Sequence, residues 1–259
     1  MLRLAALFAA VLLVPVAALA ENPPAPIELQ KPFAARSPWR LVVTQGPAAQ
    51  DYAGDPAPGA ITLCLEKSPA GPCASDPSAM PPPRSAGAYE GWEPHYLTLA
   101  KPVFPHGRSA APLLMIVTAS VRAGDGGQAV VTQLFKYDRA NDRFERVYSQ
   151  ETGTNNNEEV RFVSNGPLAG RVIFVEPTSN APFGYWVTIN APDAGDAYKQ
   201  VLRYRSATRY GDGNRLAVID SEMASIQQRL GLWRAGGPLP LPAGPCPKPR
   251  LVRMELWCE

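Results

Sequence analysis

The sequence predicts a mainly β fold, with antiparallel propeller-like or sandwich sheets and one short C-terminal helix. Two observations support this prediction. Short apolar runs recur along the chain, either alternating with polar residues or continuously apolar, as half-buried and fully buried strands do. Segments rich in Pro, Gly, Asn and Asp separate these runs, and a single later stretch has helical spacing.

The strands are assigned from periodicity and from the apolar runs. In residues 61–65 the apolar side chains alternate and share one face, whereas residues 113–117 are apolar throughout and predict a central strand. Residues 68–94 are rich in proline and predict a long irregular loop. The predicted strands cover residues 39–43, 61–65, 96–100, 113–121, 129–148 as a hairpin, 158–163, 170–177, 183–189, 198–209 and 251–257.

The helix is predicted between Asp220 and Leu230. Met223 and Ile226 recur with Leu230 at helical spacing. Asp220 is expected to cap the first free amides, and Gly231 to take the left-handed closing position. About ten residues are too few for a stable isolated helix, so we expect this one to dock on the sheet.

The residues after the helix predict a strap followed by a last strand. The segment "PLPLP", Pro238–Pro242, has the composition of a polyproline ligand for another domain, but we expect it to lie on its own domain. In the last strand Val252, Met254 and Leu256 are expected to face inward.

The first twenty residues have the pattern of a secretory signal peptide. Arg3 provides a positive start, residues 4–14 are apolar, and Ala18–Ala20 supplies small residues for cleavage. We expect residues 1–20 to be removed and residues 21–259 to form a single disulfide-stapled β domain, periplasmic or secreted. No later stretch has the about 18 apolar residues of a spanning helix, so no transmembrane span is expected after cleavage.

The four cysteines are expected to pair in an oxidising compartment. Proximity in sequence predicts two local bridges, Cys64–Cys73 and Cys246–Cys258, each stabilising by about 3 kcal/mol in the chain-entropy model. The C-x2-C spacing of zinc sites is absent, and no cofactor is predicted.

The charge balance argues against nucleic-acid partners. The chain has 25 Lys+Arg and 23 Asp+Glu, and loss of Arg3 with the signal peptide leaves 24 against 23. A nearly neutral protein has no field that would steer it to nucleic acid or to an acidic membrane.

Two segments resemble parts of β-propeller blades. Residues 134–147, "LFKYDRANDRFERV", resemble the middle hairpin of a blade, with a Tyr-Asp strand end, a polar turn and a Phe-led return strand. Residues 171–189 resemble the next blade, and the whole resemblance extends from residue 113 to about residue 209, roughly 100 residues. The chain has too few strands for a complete propeller, and it is also similar to exported bacterial proteins of unknown function. Neither resemblance implies an activity or a functional residue.

The polar stretch around three successive asparagines is the first candidate ligand-binding segment. Asn155, Asn157 and Glu158 could present amides and a carboxylate to a ligand. The alternative, which we favour, is a turn that sets the register of the strand after it. In that strand we expect Val160 and Phe162 to be buried, and the intervening Glu159 and Arg161 to be exposed.

A basic strand is the second candidate. Arg203 and Arg205 share a parity with Lys199 and Arg209, so the four side chains project from one face and could bind a carboxylate or phosphate. The alternative is a solvated face paired with acids on the next strand; the candidate acids are Glu158, Glu159 and Glu176.

An aromatic cluster is the third candidate. Phe183, Tyr185 and Trp186 could stack on sugar faces or on proline-rich peptides. Tyr185 and Trp186 point to opposite faces of a strand, so we expect one to be buried and the other to be nearer solvent.

Motifs for metal binding and catalysis are weak. Asp212 and Asn214 partly match a calcium loop, but Leu216 occupies the next ligand position, so a glycine-rich turn is favoured. The two histidines, His95 and His106, belong to no known catalytic motif. A pair of carboxylates remains open; the candidates are Glu158, Glu159, Glu176 and Asp212.

These patterns predict an exported non-catalytic protein that binds a ligand or protein partner in the bacterial envelope, such as an inhibitor or immunity-type protein. The expected partner is an envelope protein or a glycan. One alternative is an envelope hydrolase that acts on glycan or peptide through a carboxylate pair, about 5 to 9.5 Å apart across a cleft. A purely structural envelope component is a third possibility.

Overall fold

The structure is a computed structural model that describes residues 25–69, 71–79, 93–105, 111–124, 126–154, 157–180 and 183–259. Three four-stranded antiparallel sheets follow one another along the chain, and in each sheet the spatial order of the strands is their chain order. The predicted mainly antiparallel β fold is therefore confirmed.

The first sheet is formed by the amino-terminal third of the described chain. A short helix precedes its second strand, and a small hairpin lies between its second and third strands. The elements are β1 (Ile27–Glu28), α1 (Gln30–Phe33), β2 (Arg40–Gln45), the hairpin β3 (Ala49–Gln50) and β4 (Pro56–Ala57), β5 (Ile61–Glu66) and β6 (Cys73–Ser75). The prediction of an irregular loop over residues 68–94 was wrong at β6, because Cys73 pairs with Glu66 and so belongs to the sheet.

The second and third sheets are longer meanders. The second contains β7 (Tyr96–Val103), β8 (Leu113–Ala119), β9 (Ala129–Asp138) and β10 (Arg143–Gly153). The third contains β11 (Glu159–Phe162), β12 (Val172–Pro177), β13 (Gly184–Pro192) and β14 (Tyr198–Arg209), with a 3-10 turn at Gly166–Leu168.

The predicted position of β8 is confirmed, because β8 lies between two strands and between two other sheets. Leu114 and Ile116 pack in the cluster with the first sheet, whereas Leu113 and Met115 pack in the cluster with the third. A strand that contacts a layer on each face needs apolar residues at successive positions, which explains the continuous apolar run.

Three hydrophobic clusters connect the layers in series. One joins Leu63 of the first sheet to Phe135 of the second, and another joins Leu134 of the second sheet to Val172 of the third. The last packs the other face of the third sheet against the C-terminal helices. Within the described ranges no cluster joins the first sheet to the third, so the sheets are stacked in sequence order.

The blade-like hairpin occupies a different position from the one expected. Each meander has the strand order of a propeller blade. However, residues 134–147 belong to β9 and β10, which form the last hairpin of the second sheet because β7 and β8 precede them. The segment that resembles the middle hairpin of a blade is therefore the last hairpin of its own sheet.

The C-terminal helix is present but is divided. Helix α2 (Val218–Ser221) and helix α3 (Met223–Arg229) are separated at Glu222, and Gly231 has the predicted left-handed φ of 70°. Asp220 does not cap the helix, because it lies inside the first turn and pairs with Arg161 of β11 at 2.5 Å.

The expected last strand is instead a hairpin of β15 (Pro249–Val252) and β16 (Glu255–Cys258). Its two turn residues, Arg253 and Met254, have φ of 54° and 73°, as in the two-residue turns that match strand twist. Met254 therefore lies in the turn and not on an inward strand face. Leu256 is fully buried, as expected, whereas Val252 is half-buried.

Both predicted disulfides are present. The Cα atoms of Cys64 and Cys73 are 5.4 Å apart, and those of Cys246 and Cys258 are 4.8 Å apart. The second bridge closes the proline strap, whose Pro238 carbonyl accepts a hydrogen bond from Trp233 Nε1 at 2.7 Å. The strap therefore lies on its own domain, as expected. In the described ranges no helix is both long and apolar enough to cross a membrane.

Candidate functional site

Strand register assembles a polar and aromatic surface at one end of the third sheet. Glu176 is opposite Trp186 across β12 and β13, and Trp186 is opposite Arg205 across β13 and β14. Directly opposed residues share a face of the sheet. Arg203 completes this surface, which we call the Trp186 face: its guanidinium donates to Glu176 at 2.9 Å and lies 4.5 Å from the centre of the Trp186 ring.

Glu158 lies near the Trp186 face, just before β11. Its carboxylate accepts a hydrogen bond from the Gly153 backbone N–H. Burial raises the pKa of Glu158; the Gly153 hydrogen bond opposes this shift, and the charge of nearby Glu176 adds to it. Two of the four candidate carboxylates are thus close enough to interact.

The other two candidate carboxylates have different partners. A carboxylate oxygen of Glu159 lies 2.7 Å from the Arg161 guanidinium, on the face of the sheet toward the helices. Both residues are half-buried, so the prediction that they would be exposed was wrong. Asp212 accepts hydrogen bonds from the backbone N–H groups of Arg209 and Asn214 at 3.1 and 2.8 Å. It therefore organises the glycine-rich turn that the sequence favoured over a calcium loop.

The basic strand β14 is partly neutralised by acids. Arg203 pairs with Glu176, and Lys199 pairs with Asp193 at 2.6 Å, so the acid-paired alternative holds for these two residues. Arg205 is exposed and forms no ion pair with any residue that the structure describes. Its guanidinium is therefore the accessible cation of the Trp186 face.

An aromatic pocket occupies the same end of the sheet on the opposite face. Its volume is about 360 Å³. Tyr185 is 1% exposed there, whereas Phe183 and Tyr210 are 48% and 65% exposed. Pro177 and Thr178 complete the lining. Tyr185 is thus buried and Trp186 is nearer solvent, as alternation along the strand predicted.

The last of the three asparagines contacts one residue of this pocket, although it does not line the pocket itself. Asn157 has a left-handed φ of 55°, and its side-chain amide donates to the Tyr185 hydroxyl at 3.2 Å. It therefore has the conformation of the predicted turn and also contacts a pocket residue. Asn155 and Asn156 lie outside the described residues.

The structure divides the predicted site residues between two faces. Tyr185 lines the aromatic pocket and Asn157 contacts its hydroxyl, whereas Glu158, Trp186, Arg203 and Arg205 belong to the other side. Tyr210 lines the pocket but was not among the predicted site residues, although its place directly after a strand and before a glycine turn could have indicated it. Its backbone N–H donates to the Phe183 carbonyl at 3.0 Å, so pairing continues beyond β13 and β14 and brings the two exposed rings together.

No protein-family model, curated protein or solved structure matches this chain.

The site has no arrangement typical of metal chemistry. Among the described residues, no group of three or more His, Cys, Asp or Glu side chains could hold a metal ion. His95 has a structural contact, with Nδ1 2.7 Å from the Pro58 carbonyl oxygen, and His106 lies outside the described ranges.

Proposed function

We propose that this chain is an exported, non-catalytic protein that binds a glycan of the bacterial envelope at the aromatic pocket. The observation that carries the proposal is the pair of exposed rings, Phe183 and Tyr210, beside a buried phenol that an amide contacts. Sugar rings have apolar faces that stack on aromatic rings, and hydroxyls that pair with amides and phenols. The pocket volume of about 360 Å³ lies within the range of small-ligand sites.

Export is supported by the two disulfides, because such bonds persist in oxidising compartments. We propose that residues 1–20 direct the chain to the periplasm or the medium. Amino-terminal sequencing of exported protein should return Glu21, and material that still begins at Met1 would contradict cleavage.

Glycan binding can be tested with the mature protein and soluble cell-wall glycan fragments by isothermal titration calorimetry. Phe183→Ala and Tyr210→Ala should each weaken binding by about tenfold or more, because each removes a stacking surface. Tyr52→Ala is the matched control, since Tyr52 is 74% exposed and does not line the pocket. Absence of binding, or equal binding by all three variants, would refute the proposal.

A hydrolase is the second candidate, and one observation favours it. Glu158 has a raised pKa and lies near Glu176, which pairs with Arg203. Two carboxyl groups in unequal environments are typical of acid and base pairs in glycoside hydrolysis. The assay is the release of soluble fragments from cell wall. Release by the parent that is lost in both Glu158→Gln and Glu176→Gln would favour the hydrolase, provided that the control Glu145→Gln, in the second sheet, still releases fragments. The non-catalytic proposal expects no release by the parent protein.

A further inference from the structure

A second and larger cavity, which we call the strap groove, lies between the helices, the connection from β11 to β12, and the proline strap. Its volume is about 600 Å³, and it shares no lining residue with the aromatic pocket. Met223, Trp233, Pro240 and Leu241 are among its apolar walls. Cavities of this size and character are typical of ligand sites.

One buried polar side chain in the strap groove has no partner. Gln227 lines the cavity and is only 7% exposed. Its backbone carbonyl accepts from Leu232 N–H at 2.8 Å, but its side-chain amide forms no hydrogen bond with any residue in the described ranges. Its amide atoms are not among the fully buried polar atoms that lack a partner, so they are accessible from the groove, where a ligand or ordered water can complete their hydrogen bonds.

The neighbouring polar groups of the strap are already paired. The Pro238 carbonyl accepts from Trp233 Nε1, and Leu241 N–H donates to the Leu239 carbonyl at 2.9 Å. Proline has no N–H to offer. Ser164 and Asn165 also line the groove but are exposed, whereas Gln227 is the buried lining residue whose side chain can both donate and accept hydrogen bonds. A peptide group supplies the matching acceptor and donor.

The charges beside the groove disfavour an acidic ligand. Arg161 lines the cavity but already pairs with Asp220 at 2.5 Å and with Glu159 at 2.7 Å. Two carboxylates therefore surround one guanidinium, and no free cation remains to pair with an acid. Apart from the uncharged polar residues Ser164 and Asn165, the remaining walls are mostly apolar.

We propose that the strap groove binds an extended apolar peptide without acidic side chains, with one of its peptide groups hydrogen-bonded to the Gln227 amide. This site is separate from the proposed glycan site. It gives the protein a second ligand class, the apolar segment of a polypeptide partner.

The proposal can be tested by calorimetry with acetylated and amidated tripeptides, Leu-Phe-Leu as the probe and Leu-Glu-Leu as the acidic comparison. The parent should bind the apolar peptide more tightly. Gln227→Leu should weaken binding by about tenfold or more, because it removes the amide and keeps an apolar side chain of similar size. Gln228→Leu is the matched control, since Gln228 is exposed on the next position of the same helix. Leu241→Ser tests the apolar wall at a residue that is 49% exposed, and it should also weaken binding.

Several results would overturn the proposal. These are no binding by the parent, equal binding of both peptides, or unchanged binding by Gln227→Leu in a folded protein. Concentration-dependent dimerisation that Leu241→Ser abolishes, without peptide binding, would assign the groove to a second copy of the chain and also overturn it. Glycan binding by Gln227→Leu should equal that of the parent, so failure of one site is distinguishable from failure of the other.

Discussion

Asp142 connects the first two sheets through one carboxylate. It accepts hydrogen bonds from Ser37 Oγ at 2.6 Å, Trp39 Nε1 at 2.8 Å and Tyr137 OH at 2.6 Å, and Lys67 lies 3.5 Å away. Burial alone would raise the pKa of Asp142, but the three hydrogen bonds and the Lys67 charge together hold it well below the usual range. The sequence indicated only a turn residue here.

Asp142→Ala should lower the free energy of unfolding by about 3 kcal/mol at pH 7, because it leaves the buried Trp39 indole and two half-buried hydroxyl donors without an acceptor. Since the folded pKa is lowered, this carboxylate stabilises fully above the unfolded pKa of about 4, and the contribution is lost as pH falls through the folded value. Urea unfolding should therefore show a smaller difference between variant and parent at pH 2.5 than at pH 7. Asp55→Ala, at an exposed position, is the control, and a difference that does not depend on pH would contradict the assignment.

Asn157 combines a backbone role with a contact to the aromatic pocket. Its φ is 55°, and its side chain bonds to Tyr185. Asn157→Gly should cost about 1 kcal/mol, because glycine accepts the same dihedrals and only the hydrogen bond is lost. Asn157→Val should cost about 1–2 kcal/mol more, since a β-branched residue resists positive φ. Thermal unfolding of the two variants compares these costs, and equal stability would show that the backbone conformation is unimportant.

At the scale of elements, Glu222 holds the third sheet to the helices. It is fully buried at the break between α2 and α3. Its carboxylate accepts from the backbone N–H groups of Ala207 and Thr208 at 3.1 and 3.0 Å, and from the Tyr204 hydroxyl at 3.0 Å. The end of β14 and the helix layer therefore share one acceptor group.

Glu222→Ala should destabilise the protein by about 3–5 kcal/mol, because several buried donors would lose their acceptor. Glu222→Gln should cost less, since its carbonyl oxygen can still accept from the two backbone amides. Urea denaturation followed by circular dichroism measures both variants. A Glu222→Ala protein as stable as the parent would show that other groups join these elements.

At the scale of the whole molecule, the layers stack in series, and the C-terminal segment covers the last of them. The hairpin of β15 and β16 contacts the helices, and the Cys246–Cys258 bridge ties the end of the strap to that hairpin. The strap groove therefore depends on a covalent link as well as on packing.

Replacing Cys246 and Cys258 by Ser should lower the free energy of unfolding by about 3 kcal/mol, because the unfolded chain gains conformational freedom. Peptide binding at the strap groove should weaken as well. The matching replacement of Cys64 and Cys73 should reduce stability by a similar amount and leave peptide binding unchanged, because that bridge lies in the first sheet. Equal loss of peptide binding in both double variants would show that binding does not depend specifically on the disulfide of the strap.

Local patterns in the sequence determined the strands, the disulfides and the end of the helix. Alternation placed Tyr185 and Trp186 on opposite faces, short separations paired the cysteines, and Gly231 ended the helix. These features depend on residues a few positions apart, whose geometry is set by the period of a strand or by a short closed loop. The expected turn at Asn157 is of the same kind.

Only the tertiary structure decided which distant residues meet. Asp142 bonds to Ser37 across 105 positions, and Glu176 faces Trp186 only because β12 and β13 pair in one register. The hairpin turn at Arg253 and Met254 carries none of the Asn or Gly residues that usually mark such turns. The physical reason is that periodicity reports which face a residue occupies, whereas its partner depends on the register and stacking of whole sheets, which many weak contacts determine together.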